Sequence, residues 1–162
     1  MTLTAPTAIL LDTTPLGLLT QKLGVANGDA CKVWYGTLVQ AGCRFFVPEI
    51  ADYELRREFL RQKNVTAVLR LDAFITAEQG RYLPLTTPAI RIAAELWAQA
   101  RQQGNVTAQP AALDGDALIA AQANLFVPIT WGLIGMVVAT ANVSHLSVLT
   151  TAETWEQIRV TL

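Results

Sequence analysis

Short, continuous apolar runs alternate along the chain with longer stretches in which apolar residues recur every three or four positions. The runs are Ala8–Asp12, Arg44–Pro48 and Met136–Thr140, with a short extended piece at Tyr82–Leu85 and a further one around Leu146–Leu149. Ala8–Leu11 is apolar without alternation, as expected of a strand covered on both faces. Helical spacing predicts helices over Gly28–Gln40 and Ile50–Gln62, and a third from Val65 through "VTAVLRLDAFITAEQ". In "TPAIRIAAELWAQARQQG", Thr87 can cap, Pro88 suits the first turn and Gly104 can end the helix. Ile92, Leu96 and Ala100 fall four apart on one face of it. A last helix, Asp116–Asn124, is apolar nearly all round and is therefore expected to be buried. Strands alternating with helices imply an α/β fold with a mainly parallel sheet.

Composition narrows this picture. A chain of 162 residues with 52% hydrophobic and 15% charged residues is read as one domain, residues 1–162, with a substantial core. The net charge of −1 excludes a global basic field of the kind that marks nucleic-acid binders, but leaves room for a small charged site. Cys31 and Cys43 lack metal-like spacing and read as buried free thiols of a reducing cytoplasm. "MTLTAPTAIL" has no basic segment of a signal peptide, so a cytoplasmic location is expected. The apolar run Leu125–Ala139 falls short of the roughly 20 residues of a membrane span and is broken by Pro128, Gly132 and Gly135. Core packing is its expected use, a dimer or partner surface the alternative.

A few polar residues at element ends carry the candidate chemistry. In "AILLDTT" an aliphatic strand closes on Asp12, and ligands of open parallel sheets gather at the carboxyl ends of strands. Thr140 ends "MVVAT", with Asn142 just beyond. In "LDGDALIAAQA", Asp114 suits a helix N-cap and Asp116 lies in the first turn, where the helix dipole offsets part of its burial cost. Glu54, in "EIADYELRREFL", projects between Ile50 and Ala51. An ordinary solvated glutamate is its alternative reading. If Asp12, Glu54 and Asp116 converge, their repulsion raises at least one pKa unless cations neutralise them. Oxygen ligands without a His or Cys cluster favour Mg²⁺ or Mn²⁺ over zinc. Arg56, Arg57, Arg61 and Lys63 form the densest basic stretch, suited either to a phosphate backbone or to a solvated helix face.

Taken in order, "ILLDTTPLGLL", "VPEIADYELRREFL", "LDGDALIAAQANL" and "VVATANVSHL" resemble the PIN-domain ribonucleases, especially VapC-type toxins, from Ala8 to about Trp155. The resemblance implies a three-layer α/β/α sandwich around a central parallel sheet. It also implies a Mg²⁺- or Mn²⁺-dependent endoribonuclease, the toxin of a toxin–antitoxin pair. By motif position, Asp12, Glu54, Asp116 and Asn142 would be catalytic and the three acids would hold the metal, with Thr13 or Thr14 helping to orient Asp12 or a water. RNA would be the substrate, an antitoxin and a second copy of the chain the partners. Asn142 is neutral where many relatives carry an acid, and His145 stands where aspartate is frequent. That implies a less negative site, holding one ion firmly rather than two, with His145 either a general base or a packing residue. A PIN-like module that binds RNA or a protein without cutting is the alternative. A phosphoacceptor receiver domain would need an acid pair after the first strand and a late lysine, and has neither.

Overall fold

The computed structural model describes residues 1–4, 6–103 and 110–160, with the backbone alone for residues 110–113. The chain begins with β1 (Thr2–Leu3) and β2 (Thr7–Leu11), followed by α1 (Thr13–Leu19) and α2 (Ala26–Gln40). Next come β3 (Arg44–Pro48), α3 (Glu49–Arg61), α4 (Val65–Thr76) and β4 (Tyr82–Leu83). Helices α5 (Thr87–Gln102) and α6 (Pro110–Leu125) precede β5 (Gly135–Thr140), α7 (Val143–Leu146), β6 (Ala152–Thr154) and β7 (Arg159–Val160). Strands β4-β3-β2-β5-β6 form one parallel sheet, and β1 pairs with β7 apart from it.

Every residue of β2 is buried, which accounts for its unbroken apolar run. Its side chains alternate between two cores. Ile9 and Leu11 join Phe45, Val47, Val137 and Ala139 under α1, α2 and α4, while Ala8 and Leu10 join Phe46, Val138, Ile119 and Ala123 on the α6 side. Helix α5 lies outside α6 through Ala89 and Ala93 against Ala117 and Ala121, small side chains that let the two axes approach. The result is the expected α/β/α sandwich. No helix among the described residues is long and apolar enough to cross a membrane.

Several element boundaries differ from expectation, each for a local reason. Helix α1 is an addition to the expected elements; Asp12 starts it by accepting the Thr13 N–H, so a residue read only as a strand end is also an N-cap. The cap of α5 is Thr86, whose hydroxyl accepts the Ala89 N–H at 3.3 Å, rather than Thr87, and Gly104 lies outside the described residues. Helix α6 begins at Pro110, so Asp114 is an exposed mid-helix residue instead of a cap, and Asp116 lies beyond the first turn. The expected strand around Leu146–Leu149 is instead the end of α7 and a turn, and the edge strand is Ala152–Thr154. Strand β4 stops at Leu83.

The apolar run Leu125–Ala139 divides in two. Leu133 and Val137–Ala139 are core, whereas Val127, Ile129 and Ile134 are 51%, 76% and 61% exposed, so core packing does not account for those three positions.

Phe46 is fully buried and meets Phe126 and Trp131 edge-on at ring-centroid distances of 4.7 and 5.1 Å. Phe46→Ala should therefore lower the unfolding free energy by about 3–5 kcal/mol, measured by urea denaturation.

Candidate active site

The sheet register builds the site. Because Leu11 pairs with Ala139, and the Asp12 N–H continues the ladder to the Ala139 carbonyl at 3.0 Å, Asp12 and Thr140 emerge side by side. Both Asp12 oxygens are occupied: Oδ1 accepts the Thr13 N–H at 2.6 Å, and Oδ2 accepts the Thr140 hydroxyl at 2.6 Å. These bonds hold the carboxylate in one orientation and leave further lone pairs for another ligand.

Glu54 comes from α3, which starts directly where β3 ends. It is not a free surface glutamate: its Oε2 accepts the Thr13 hydroxyl at 2.7 Å. Thr13 thus serves Asp12 with its backbone and Glu54 with its side chain, whereas Thr14 is exposed. Glu58, one turn on, pairs with Arg61 at the surface.

Asp116 completes the group from α6. Its Oδ2 is buried, has no hydrogen-bond partner, and lies 3.6 Å from His145 Nδ1, too long for a hydrogen bond. Asp12, Glu54 and Asp116 lie close enough to feel one another's charge. Burial pushes the Asp116 carboxyl up to about 6, helped by the charges of Asp12 and Glu54 and opposed by His145. Burial also raises Asp12, the hydrogen bonds from Thr140 and Thr13 hold it down, and the Glu54 charge raises it again. Beyond the first turn of α6, Asp116 gains little from the helix dipole, which fades within that turn.

Asn142 lies at the exposed rim. Its N–H bonds Thr140 Oγ1 at 2.9 Å, while its side chain is engaged with His145 Nδ1 at 2.8 Å and the Ser144 hydroxyl at 3.0 Å. The structure therefore brings three of the four predicted side chains together and sets the fourth beside His145. Thr140, in the predicted motif, is the hydroxyl bound to Asp12. Gly115, which abuts Glu54, escapes a sequence reading that starts the helix after it. The basic stretch also divides: Arg56 is bound by Asp52 and Asp72 at 2.8 and 2.6 Å and Arg61 by Glu58, while Arg57 lies over the Tyr53 ring at 5.4 Å. Arg56 is thereby neutralised and unsuited to a phosphate.

No group of three His, Cys, Asp or Glu side chains among the described residues is spaced to hold one metal ion. The donor chemistry nevertheless fits a hard divalent cation: carboxylate oxygens, mutual repulsion, and a buried Asp116 oxygen with no hydrogen-bond partner. A groove lined by Thr13, Thr14, Gly17, Leu18, Phe59 and Arg70, among others, opens beside the site.

A carboxyl whose pKa rises on folding favours the fold most when protonated. Asp116 thus contributes stability below pH ~4, the ordinary aspartate value, and that contribution is lost as pH climbs through about 6. Asp116→Asn should raise unfolding stability at pH 7 by on the order of 2 kcal/mol and leave it nearly unchanged at pH 4, read from urea unfolding at both pH values.

No family model and no curated protein sequence matches the chain. Solved structures do. A chain of VapBC2 from Rickettsia felis, bound to a DNA fragment from its promoter, superposes with a TM-score of 0.62 at 16% identity, covering 91% of this chain and 98% of that one. FitAcB from Neisseria gonorrhoeae gives 0.63 at 20% identity, covering 92% and 99%. VapBC-1 from nontypeable Haemophilus influenzae gives 0.63 at 15% identity, covering 93% and 99%. At these identities the likeness is one of fold, and the chain has the PIN-type α/β/α fold of the VapBC and FitAB structures.

Proposed function

We propose that this protein is a divalent-metal-dependent endoribonuclease of the VapC type, the toxin of a toxin–antitoxin pair. The observation that carries this reading is a buried Asp116 oxygen with no hydrogen-bond partner, on a carboxyl that feels the charges of Asp12 and Glu54 near the carboxyl edge of a parallel sheet. A fold with no use for a cation gains nothing from that arrangement.

Asp12, Glu54 and Asp116 would hold the ion, Mg²⁺ or Mn²⁺. Bound there, it supplies an activated water and neutralises charge developing on the scissile phosphate. The chain's own groups prepare the site. Thr140 and the Thr13 N–H fix the Asp12 carboxylate, the Thr13 hydroxyl holds Glu54, and the Asn142–His145 pair lines the rim on the Asp116 side. RNA is the substrate this reading takes, with Arg57, exposed on α3, a cation suited to its phosphates. The solved neighbours are VapBC and FitAB assemblies, some bound to DNA, which supports an antitoxin partner. The groove at Thr13 and Phe59 opens next to the acids, where such a partner would silence the site.

A second reading, a PIN-like module that binds RNA or protein without cutting, draws on the engaged, neutral Asn142 and on the lack of a three-ligand cluster among the described residues. One experiment separates the two. Purified protein incubated with single-stranded RNA and Mn²⁺ should cleave it, chelation should stop cleavage, and Asp12→Asn or Asp116→Asn should reduce the rate by about 100-fold or more. RNA binding without cleavage or metal uptake would favour the second reading.

A further inference from the structure

We propose that Gly115 is a positioning residue: its missing side chain is what lets the Glu54 carboxylate lie against α6 beside Asp116. A Cβ at residue 115 would stand 2.6 Å from Glu54 Oε1 and 3.4 Å from Glu54 Cδ, the first nearer than real Cβ contacts come. The carboxylate is held from the other side by the Thr13 hydroxyl at 2.7 Å, so it is confined between α1 and α6.

Neither helix propensity nor backbone conformation calls for glycine at this position. Gly115 lies inside α6, where glycine weakens a helix relative to alanine. Among the described residues the glycines with positive φ are Gly24, Gly42, Gly80 and Gly132, so backbone conformation does not explain Gly115. The three nearest atoms to that Cβ among the described residues all belong to Glu54, at the flexible end of its side chain. An added methyl group would displace that carboxylate rather than the helix. The chain therefore gives up helix stability at this point and gains a Glu54 carboxylate seated against α6, one residue before Asp116.

The role in catalysis rests on the proposed nuclease reading; the steric role does not. Gly115→Ala should fold, melt at or above the wild-type temperature, and show the Glu54 carboxylate moved off the Thr13 hydroxyl in a crystal structure. Its RNA cleavage and its Mn²⁺ affinity by calorimetry should each fall by about tenfold or more, the scale of a small misplacement in an active site. In a Glu54→Ala background, where the metal site is already broken, the same substitution should raise the melting temperature at least as much as it does in the wild type, because the methyl then has nothing to displace and alanine favours the helix. Wild-type cleavage and affinity in Gly115→Ala, a melting temperature lowered by the substitution in the Glu54→Ala background, or one lowered in the single variant would each overturn the role. If the wild type itself neither binds Mn²⁺ nor cuts RNA, the nuclease reading fails. The position of Glu54 in the Gly115→Ala crystal then still decides the steric claim, and a carboxylate left on Thr13 overturns it.

Discussion

The parallel pairing of β2 with β5 is the constraint on which the site depends. It sets Leu11 against Ala139, and the next residue of each strand then falls at the same edge. From that register follow the Thr140–Asp12 hydrogen bond, the start of α1 on the Asp12 carboxylate, and the placement of Thr13 between two acids. A shift of one residue would turn every β2 side chain to the opposite core and move Asp12 away from Thr140. Because β2 is buried along its whole length, that shift is prohibited by the same packing that stabilises the fold.

Against this rigid frame the acids oppose folding. Burial and mutual repulsion both disfavour ionised Asp12 and Asp116, and only hydrogen bonds from Thr13 and Thr140 relieve Asp12. Asp116 has no such relief at Oδ2. Gly115, a helix-weakening residue one position before it, adds to the same pattern. Local stability is lower here than the scaffold permits, as expected where a pocket is arranged for a charged ligand rather than for the empty chain.

The α3–α4 surface shows how neighbouring charges divide between scaffold and function. Arg56 ties α3 to α4 through Asp52 and Asp72, and the buried Arg81 joins Glu78, Tyr35 and the Phe74 carbonyl. These cations hold helices together. Arg57, one residue from Arg56, points a different way and rests on an exposed tyrosine. Sequence density of positive charge does not distinguish these roles, because adjacent helical residues diverge by about 100° around the axis.

The amino-acid sequence by itself determined the alternation of strands and helices, the buried β2, and the order of the acidic motifs. Apolar periodicity and strand-end polarity are local properties, so Asp12 and Asp116 stand out from their own segments, whereas Glu54 is marked only by its place in the motif order. Boundaries were less legible where one residue serves two elements, as Asp12 does, or where an acid inside a helix mimics its cap, as Asp114 does in α6. Only the tertiary structure decided which acids meet, that Thr13 holds Glu54, that Asn142 turns to His145, and that Gly115 must leave room. Those contacts join residues far apart in the chain, from Thr13 with Glu54 to Asp12 with Thr140, and depend on register and helix approach. Packing sets both, and no pattern confined to one segment encodes them.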